Sequence, residues 1–174
     1  MSKIRIKGDT SGYVDLETSA TGSNLSVTGN SVHIPGHVIQ VVNSLKTPQS
    51  ITTSSNSFVT TGHSLSITPR SSSSKIFLLL AGGGHYLPTA TAMAVVTIYR
   101  DSTNIGHATH GLESTYTTGG SDFSLGPHSL SFVDSPSTTS AITYTTYMKT
   151  ANGTYQYHHS DRGSLNFTAM EIAQ

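Results

Sequence analysis

Polar and apolar residues alternate one by one along most of this chain. Lys3-Ile-Arg-Ile-Lys7, His63-Ser-Leu-Ser-Ile-Thr68, Ser129-Leu-Ser-Phe-Val133 and Ser164-Leu-Asn-Phe-Thr168 all read this way. A period of two puts alternate side chains on opposite faces of a strand, so each run predicts a β-strand with one face toward a core. Gly12-Tyr-Val-Asp-Leu16, Val38-Ile-Gln-Val-Val42, Ser57-Phe-Val-Thr60, Ala141-Ile-Thr-Tyr-Thr-Thr-Tyr-Met148 and Thr154-Tyr-Gln-Tyr157 add shorter or less regular strands. Lys75-Ile-Phe-Leu-Leu-Leu-Ala81 is the most apolar run, and its length predicts a strand buried on both faces. Apolar residues hardly ever recur at the i, i+3, i+4, i+7 spacing of a helical stripe.

Turn residues punctuate these runs. Gly8 to Gly12 separates the first two, and Pro35-Gly36 favours a turn that marks a boundary. Residues 1–36 are expected to form an N-terminal stalk or anchor arm, too short to bury a core alone, and residues 37–174 a separate β-domain. Gly82-Gly-Gly84 predicts a tight exit from the buried strand, and residues 107–127 a loop of about twenty residues, long enough to be functional or mobile. Asn152-Gly153 between two strand-like runs predicts a tight hairpin, because both turn residues need positive φ. About ten strands spaced near ten residues apart predict an all-β sandwich, jelly roll or barrel. The apolar terminal run belongs in the middle of a sheet, since a free apolar edge invites aggregation. A jelly roll meets that need by pairing first and last strands. The expected class is all-β: an extended N-terminal stalk followed by a jelly-roll-like antiparallel β-sandwich.

Composition narrows the function. Nine Lys+Arg balance nine Asp+Glu, and charged residues make up 10% of the 174. Nucleic-acid binding, which needs a basic stripe, is therefore not expected. Ser (28) and Thr (26) make up almost a third of the chain. With 13 Phe and Tyr and many Val, Ile and Thr, this is strand-forming polarity rather than disorder. Cys is absent, so there is no disulfide framework and no thiolate nucleophile. No apolar run reaches the length of a membrane-spanning helix, and the start lacks the apolar core of a secretion signal, so cytoplasmic synthesis without membrane insertion is expected.

Candidate chemistry is sparse. Nine histidines are the one excess of a reactive type. His107 and His110 are three apart in the long loop, His158 and His159 precede a turn, and His33 and His37 flank Pro35-Gly36. No pair carries a third ligand at motif spacing, so no metal and no cofactor is assigned. On a three-fold axis a single histidine supplies three ligands, and His33 and His37 are the residues placed for that. No Gly-x-Ser-x-Gly elbow is present, and Asp101, Asp134 and Asp161 read as turn caps. Catalysis is not expected. Aromatic residues beside hydrogen-bonding side chains suit a glycan or protein partner, and His107, His110, Tyr116, Phe123, Asn152 and Tyr155 make the candidate binding surface. Tyr144 and Tyr147, three apart, must face opposite sides of one strand.

Several blocks resemble virion fibre proteins of tailed bacteriophages, particularly those of cyanobacteria and marine bacteria. They are Lys-Gly-Asp-Thr-Ser-Gly-Tyr-Val (7–14), Gly-His-Val-Ile-Gln-Val-Val (36–42), Ser-Phe-Val-Thr-Thr-Gly-His-Ser-Leu-Ser-Ile-Thr-Pro (57–69), Ile-Tyr-Arg-Asp-Ser-Thr-Asn-Ile-Gly (98–106) and Leu-Asn-Phe-Thr-Ala-Met-Glu-Ile (165–172). The resemblance spans nearly the whole chain and contains no catalytic motif. It implies a homotrimeric virion structural protein whose residues 1–36 attach to other virion proteins. Its C-terminal jelly-roll-like domain would then meet a host surface glycan or protein. A capsid decoration or cement trimer is the second reading, and a glycan-binding or depolymerase domain the third.

Overall fold

The computed structural model describes residues 3–7, 13–17, 35–119 and 124–174. The chain divides into two compact units, Met1–His33 and Ile34–Gln174. In the first, β1 (Lys3–Lys7) and β2 (Tyr13–Glu17) pair antiparallel, from Lys3 opposite Glu17 to Lys7 opposite Tyr13. His33 and the Gly8–Gly12 turn lie outside the described residues.

The second unit is a sandwich. Its strands are β3 (Val38–Lys46), β4 (Ile51–Thr53), β5 (Val59–Ile67), β6 (Lys75–Leu87), β7 (Met93–Arg100), β8 (Thr103–Asn104), β9 (Glu113–Tyr116), β10 (Ser124–Asp134), β11 (Ile142–Ala151), β12 (Tyr155–His158) and β13 (Leu165–Ile172). One sheet runs β3-β13-β6-β10, with β12 and β4 extending it beyond the end of β13. The other runs β5-β11-β7-β9, with β8 also on β7. Every pairing is antiparallel. Two sheets in this order, with the chain repeatedly crossing between them, make a jelly roll. The apolar terminal strand sits where its composition requires, between β3 and β6. Gly36 adopts φ +85° in the Pro35-Gly36 turn. Its N–H donates to Ala173 O at 2.8 Å, so the β3-β13 ladder continues past the strand start.

The core lies between the sheets. Ile76, Leu78 and Leu80 of β6 and Leu165, Phe167 and Ala169 of β13 face Leu65, Ile67, Val96, Ile98, Tyr144 and Met148 of the opposite sheet. Each fully buried Leu or Ile contributes about 1.5–3 kcal/mol of apolar transfer. The outer side of β7 is covered as well. Residues 105–112 fold back over it, with Leu112 N–H on Val96 O at 2.9 Å and Ile105 N–H on Ile98 O at 3.0 Å. Tyr144 and Tyr147 face opposite sides of β11. Tyr144 is buried, and Tyr147 stacks on Tyr99 of β7 at 4.0 Å on the outer face.

Four expectations are corrected. Lys75–Ala81 is buried on one face only, since Phe77, Leu79 and Ala81 are half-exposed on the outside. Gly82-Gly-Gly84 does not end that strand: β6 continues through it to Leu87. The supposed long loop is largely structured, with β9 pairing with β7 and β10 starting at Ser124. Asn152 and Gly153 do both take φ +69°, yet β11 and β12 belong to different sheets. The turn carries the chain across the sandwich instead of closing a hairpin.

Candidate functional site

The candidate surface residues fall into three environments. His107 and His110 are exposed on the turn over β7, their rings stacked at 5.3 Å. His107 Nδ1 accepts the N–H groups of Thr109 at 3.2 Å and His110 at 3.1 Å, which fixes the turn. Tyr116, 61% exposed, lies opposite Met93, and Asn152 Nδ2 donates to Thr91 O at 3.1 Å, so these two share the end of the second sheet where β7 begins. Tyr155 does not join them. It is buried, because β12 alternates inward at Tyr155 and Tyr157. Phe123 lies outside the described residues. His37 is exposed and belongs to no group of three ligating side chains among the described residues. Asp134 is no turn cap: it lies buried at the end of β10, with Arg100 Nη1 donating to both of its oxygens at 2.8 Å and Tyr144 Oη at 2.7 Å.

A different trio converges inside the sandwich: His85 of β6, His128 of β10 and Glu113 of β9. The two histidines come from one sheet and the glutamate from the other. A β-bulge makes this possible. Up to Leu80, even-numbered residues of β6 face inward. Gly82 and Gly83 then take φ +91° and +59°. Across from them the register slips, with Gly126 opposite His85 but His128 opposite Gly82. The extra residue reverses the alternation, so odd-numbered His85 and Leu87 point inward. Only glycine serves at Gly82, where a Cβ would stand 2.6 Å from Ser164 O.

Around the trio the hydrogen bonding is incomplete. His128 is fully enclosed, with Nε2 2.7 Å from Tyr157 O and Nδ1 3.1 Å from both Glu113 oxygens. A carbonyl only accepts, so Nε2 carries the hydrogen and donates to Tyr157. His85 Nε2 meets Ser124 Oγ at 3.3 Å. Its Nδ1 is buried without a hydrogen-bond partner, 3.9 Å from Glu113 Oε1. Burial pushes the His85 pKa down, the neighbouring His128 pushes it further, and Glu113 opposes both. Beside the bulge is a cleft of about 310 Å³ lined by Gly83, Gly84, Leu125, Gly126, Pro127 and Arg162. Sequence reading missed this trio because its members lie 28 and 15 positions apart on three strands. Gly82-Gly83 was the one local sign that the strand's facing changes.

The fold is thus that of an all-β jelly-roll protein. No protein-family model matches the chain, and no curated protein matches it. Among solved structures it is similar to infectious bursal disease virus strain Gx, with a TM-score of 0.41 and 14% identity over 94% of this chain and 43% of that one. It is also similar to the VP2 subviral particle of infectious bursal disease virus, with a TM-score of 0.42 and 14% identity over 93% of this chain and 39% of that one. The chain spans less than half the length of these viral proteins. Identities this low carry no information on function.

Proposed function

We propose that the chain is a non-enzymatic virion structural protein, a short trimeric tail fibre of a tailed bacteriophage. It attaches through residues 1–36 and meets the host surface with its β-domain. The observation that supports this reading is an apolar row on the outer face of the six-stranded sheet. Val41, Met170, Phe77 and Val133 are successive register partners across β3, β13, β6 and β10, so their side chains share one face. Val41 is 57% and Val133 52% exposed. Leu45, four residues along β3 from Val41, adds to the same face. A contiguous exposed row of this kind marks a contact surface, and further copies of the chain are the partner assigned to it. The non-enzymatic part of the reading is supported by the engagement of the buried acids. Asp134 is held by Arg100 and Tyr144, and Glu171 by Gln40 and backbone N–H groups.

Light scattering on the full chain tests the assembly. A native mass of roughly 55 kDa, three 18.3 kDa subunits, is expected, and Val41→Asp with Val133→Asp should reduce it to one subunit. A wild-type monomer at micromolar concentration overturns the proposal. Immunogold labelling of particles is expected to mark the tail. Label on the head would replace the fibre with the decoration trimer.

A further inference from the structure

We propose that His85, Glu113 and His128 form a binding site for one divalent transition-metal ion of the zinc class, an ion that staples the two sheets together. The three ligating atoms lie within 4.8 Å of one another. In a tetrahedral site with bonds near 2.1 Å, ligand atoms stand about 3.4 Å apart. Glu113 is 3.1 Å from His128 Nδ1 and 3.9 Å from His85 Nδ1, both near that spacing, and the two histidine nitrogens, within 4.8 Å of each other, close the triangle by side-chain rotation.

The second observation is the hydrogen bonding, which leaves the buried His85 Nδ1 without a partner beside a carboxylate and a second imidazole. His128 donates from Nε2 to Tyr157 O, so in the neutral ring Nδ1 points a lone pair at the Glu113 carboxylate. Two electron-rich groups face each other in a buried place, and His85 Nδ1 turns a third toward them with no partner. One cation satisfies all three. A proton on His128 Nδ1 would satisfy only the pair and leave His85 orphaned. The partners behind the rings are also those that metal-ligating histidines use: a backbone carbonyl on one, a serine hydroxyl on the other. They set both rings with Nδ1 toward the ion. Two imidazoles and a carboxylate suit zinc, cobalt or nickel better than calcium or magnesium, which prefer all-oxygen shells. The cleft at the bulge approaches the trio at one residue. Gly126, in its lining, is the register partner of His85, and a Cβ there would stand 3.5 Å from His85 Cε1.

The site would serve the fold as a disulfide would serve a Cys-containing one. Glu113 lies on β9, at the edge of the second sheet, and is held to the opposite sheet mainly by this contact. A metal binding only the folded chain raises stability by mass action.

Calorimetric titration of the full chain, stripped with EDTA, tests this with Zn²⁺ alone as the probe. Uptake of one ion per chain and a raised Tm are expected, with visible d–d bands when Co²⁺ replaces Zn²⁺. His85→Leu removes a nitrogen that is unpartnered without metal, so it should fold and lose affinity by more than about 100-fold. Glu113→Gln, which keeps a hydrogen-bonding group beside His128, is the second variant and should do the same. His107→Ala with His110→Ala, at the exposed pair, should leave uptake unchanged. No uptake by the native chain overturns the proposal. So does undiminished uptake by His85→Leu or Glu113→Gln, or uptake lost with His107 and His110.

Discussion

Buried polar side chains join the sheets of this sandwich, and each has a measurable signature. Asp134 bridges β10 to Arg100 and Tyr144 of the opposite sheet. Asp134→Ala strands a half-buried guanidinium and a buried hydroxyl, and a loss of about 2–4 kcal/mol by urea unfolding is expected. Tyr144→Phe removes one hydrogen bond and leaves the ion pair, so about 1 kcal/mol is expected. Burial raises the Tyr144 pKa, and the Asp134 carboxylate raises it further, so its hydroxyl stays a donor through the ordinary pH range. His63 and Glu171 give the pH dependence two stages, and the buried His85 adds to the first. Burial lowers the His63 pKa below 6.5; the Ser44 carbonyl opposes this, and Lys46, His158 and His128 add to the lowering. The unfolded chain binds that proton more readily, so this contribution is whole above 6.5 and lost as pH falls below it. For Glu171, burial alone would raise the pKa, but hydrogen bonds from Gln40 and the N–H groups of Arg70 and Ser71 outweigh it and leave the pKa below 4.5. That contribution is present above 4.5 and lost as pH falls further. Unfolding free energy against pH should therefore drop in two stages. His63→Gln should shrink the first and Glu171→Gln remove the second.

Among the elements, β6 decides most. Its bulge lets one strand pair with β13 over its first part and meet β12 at Tyr86, and it turns His85 inward. Gly82→Ala places a side chain against Ser164 O at a positive φ and should cost about 1–3 kcal/mol. Gly36→Ala meets open space at a similar φ and should cost less, with both read by thermal unfolding. Strands such as Val59–Ile67 and Leu165–Ile172 were legible because one face is buried and the other is not, which writes a period of two into the residues. The facing of β6 beyond Gly82 was not legible. A bulge depends on the partner strand, and the partner here is β10, whose His128 lies 46 residues after Gly82. Asn152-Gly153 teaches the same limit. The residue pair correctly predicted the positive φ values, which are local, but not which sheet the next strand would join.

For the molecule as a whole, the all-β class and the central place of the last apolar strand followed from spacing and hydrophobicity, and with them the jelly roll. The thirteen strands among the described residues exceed the roughly ten expected, because β8 and β9 are too short to write a pattern. The metal-type trio did not, because no window of sequence contains it. The apolar row has the same character: Val41, Phe77, Val133 and Met170 come from four distant stretches. Under the proposed fibre role, attachment to host cells should survive His85→Leu and fail with Val41→Asp and Val133→Asp; pull-down with whole cells reads this directly. The position of β13 also orders events in time. The sheet stays split until residues 165–172 emerge and slide between β3 and β6, well over a hundred residues after β3 was made. At about 5–20 residues per second, that wait is on the order of ten seconds. The apolar row does not exist until the gap is filled, since one of its four members arrives with the filling strand. On the proposed assembly, a nascent subunit would therefore have no adhesive face to offer, and only finished copies would recruit one another.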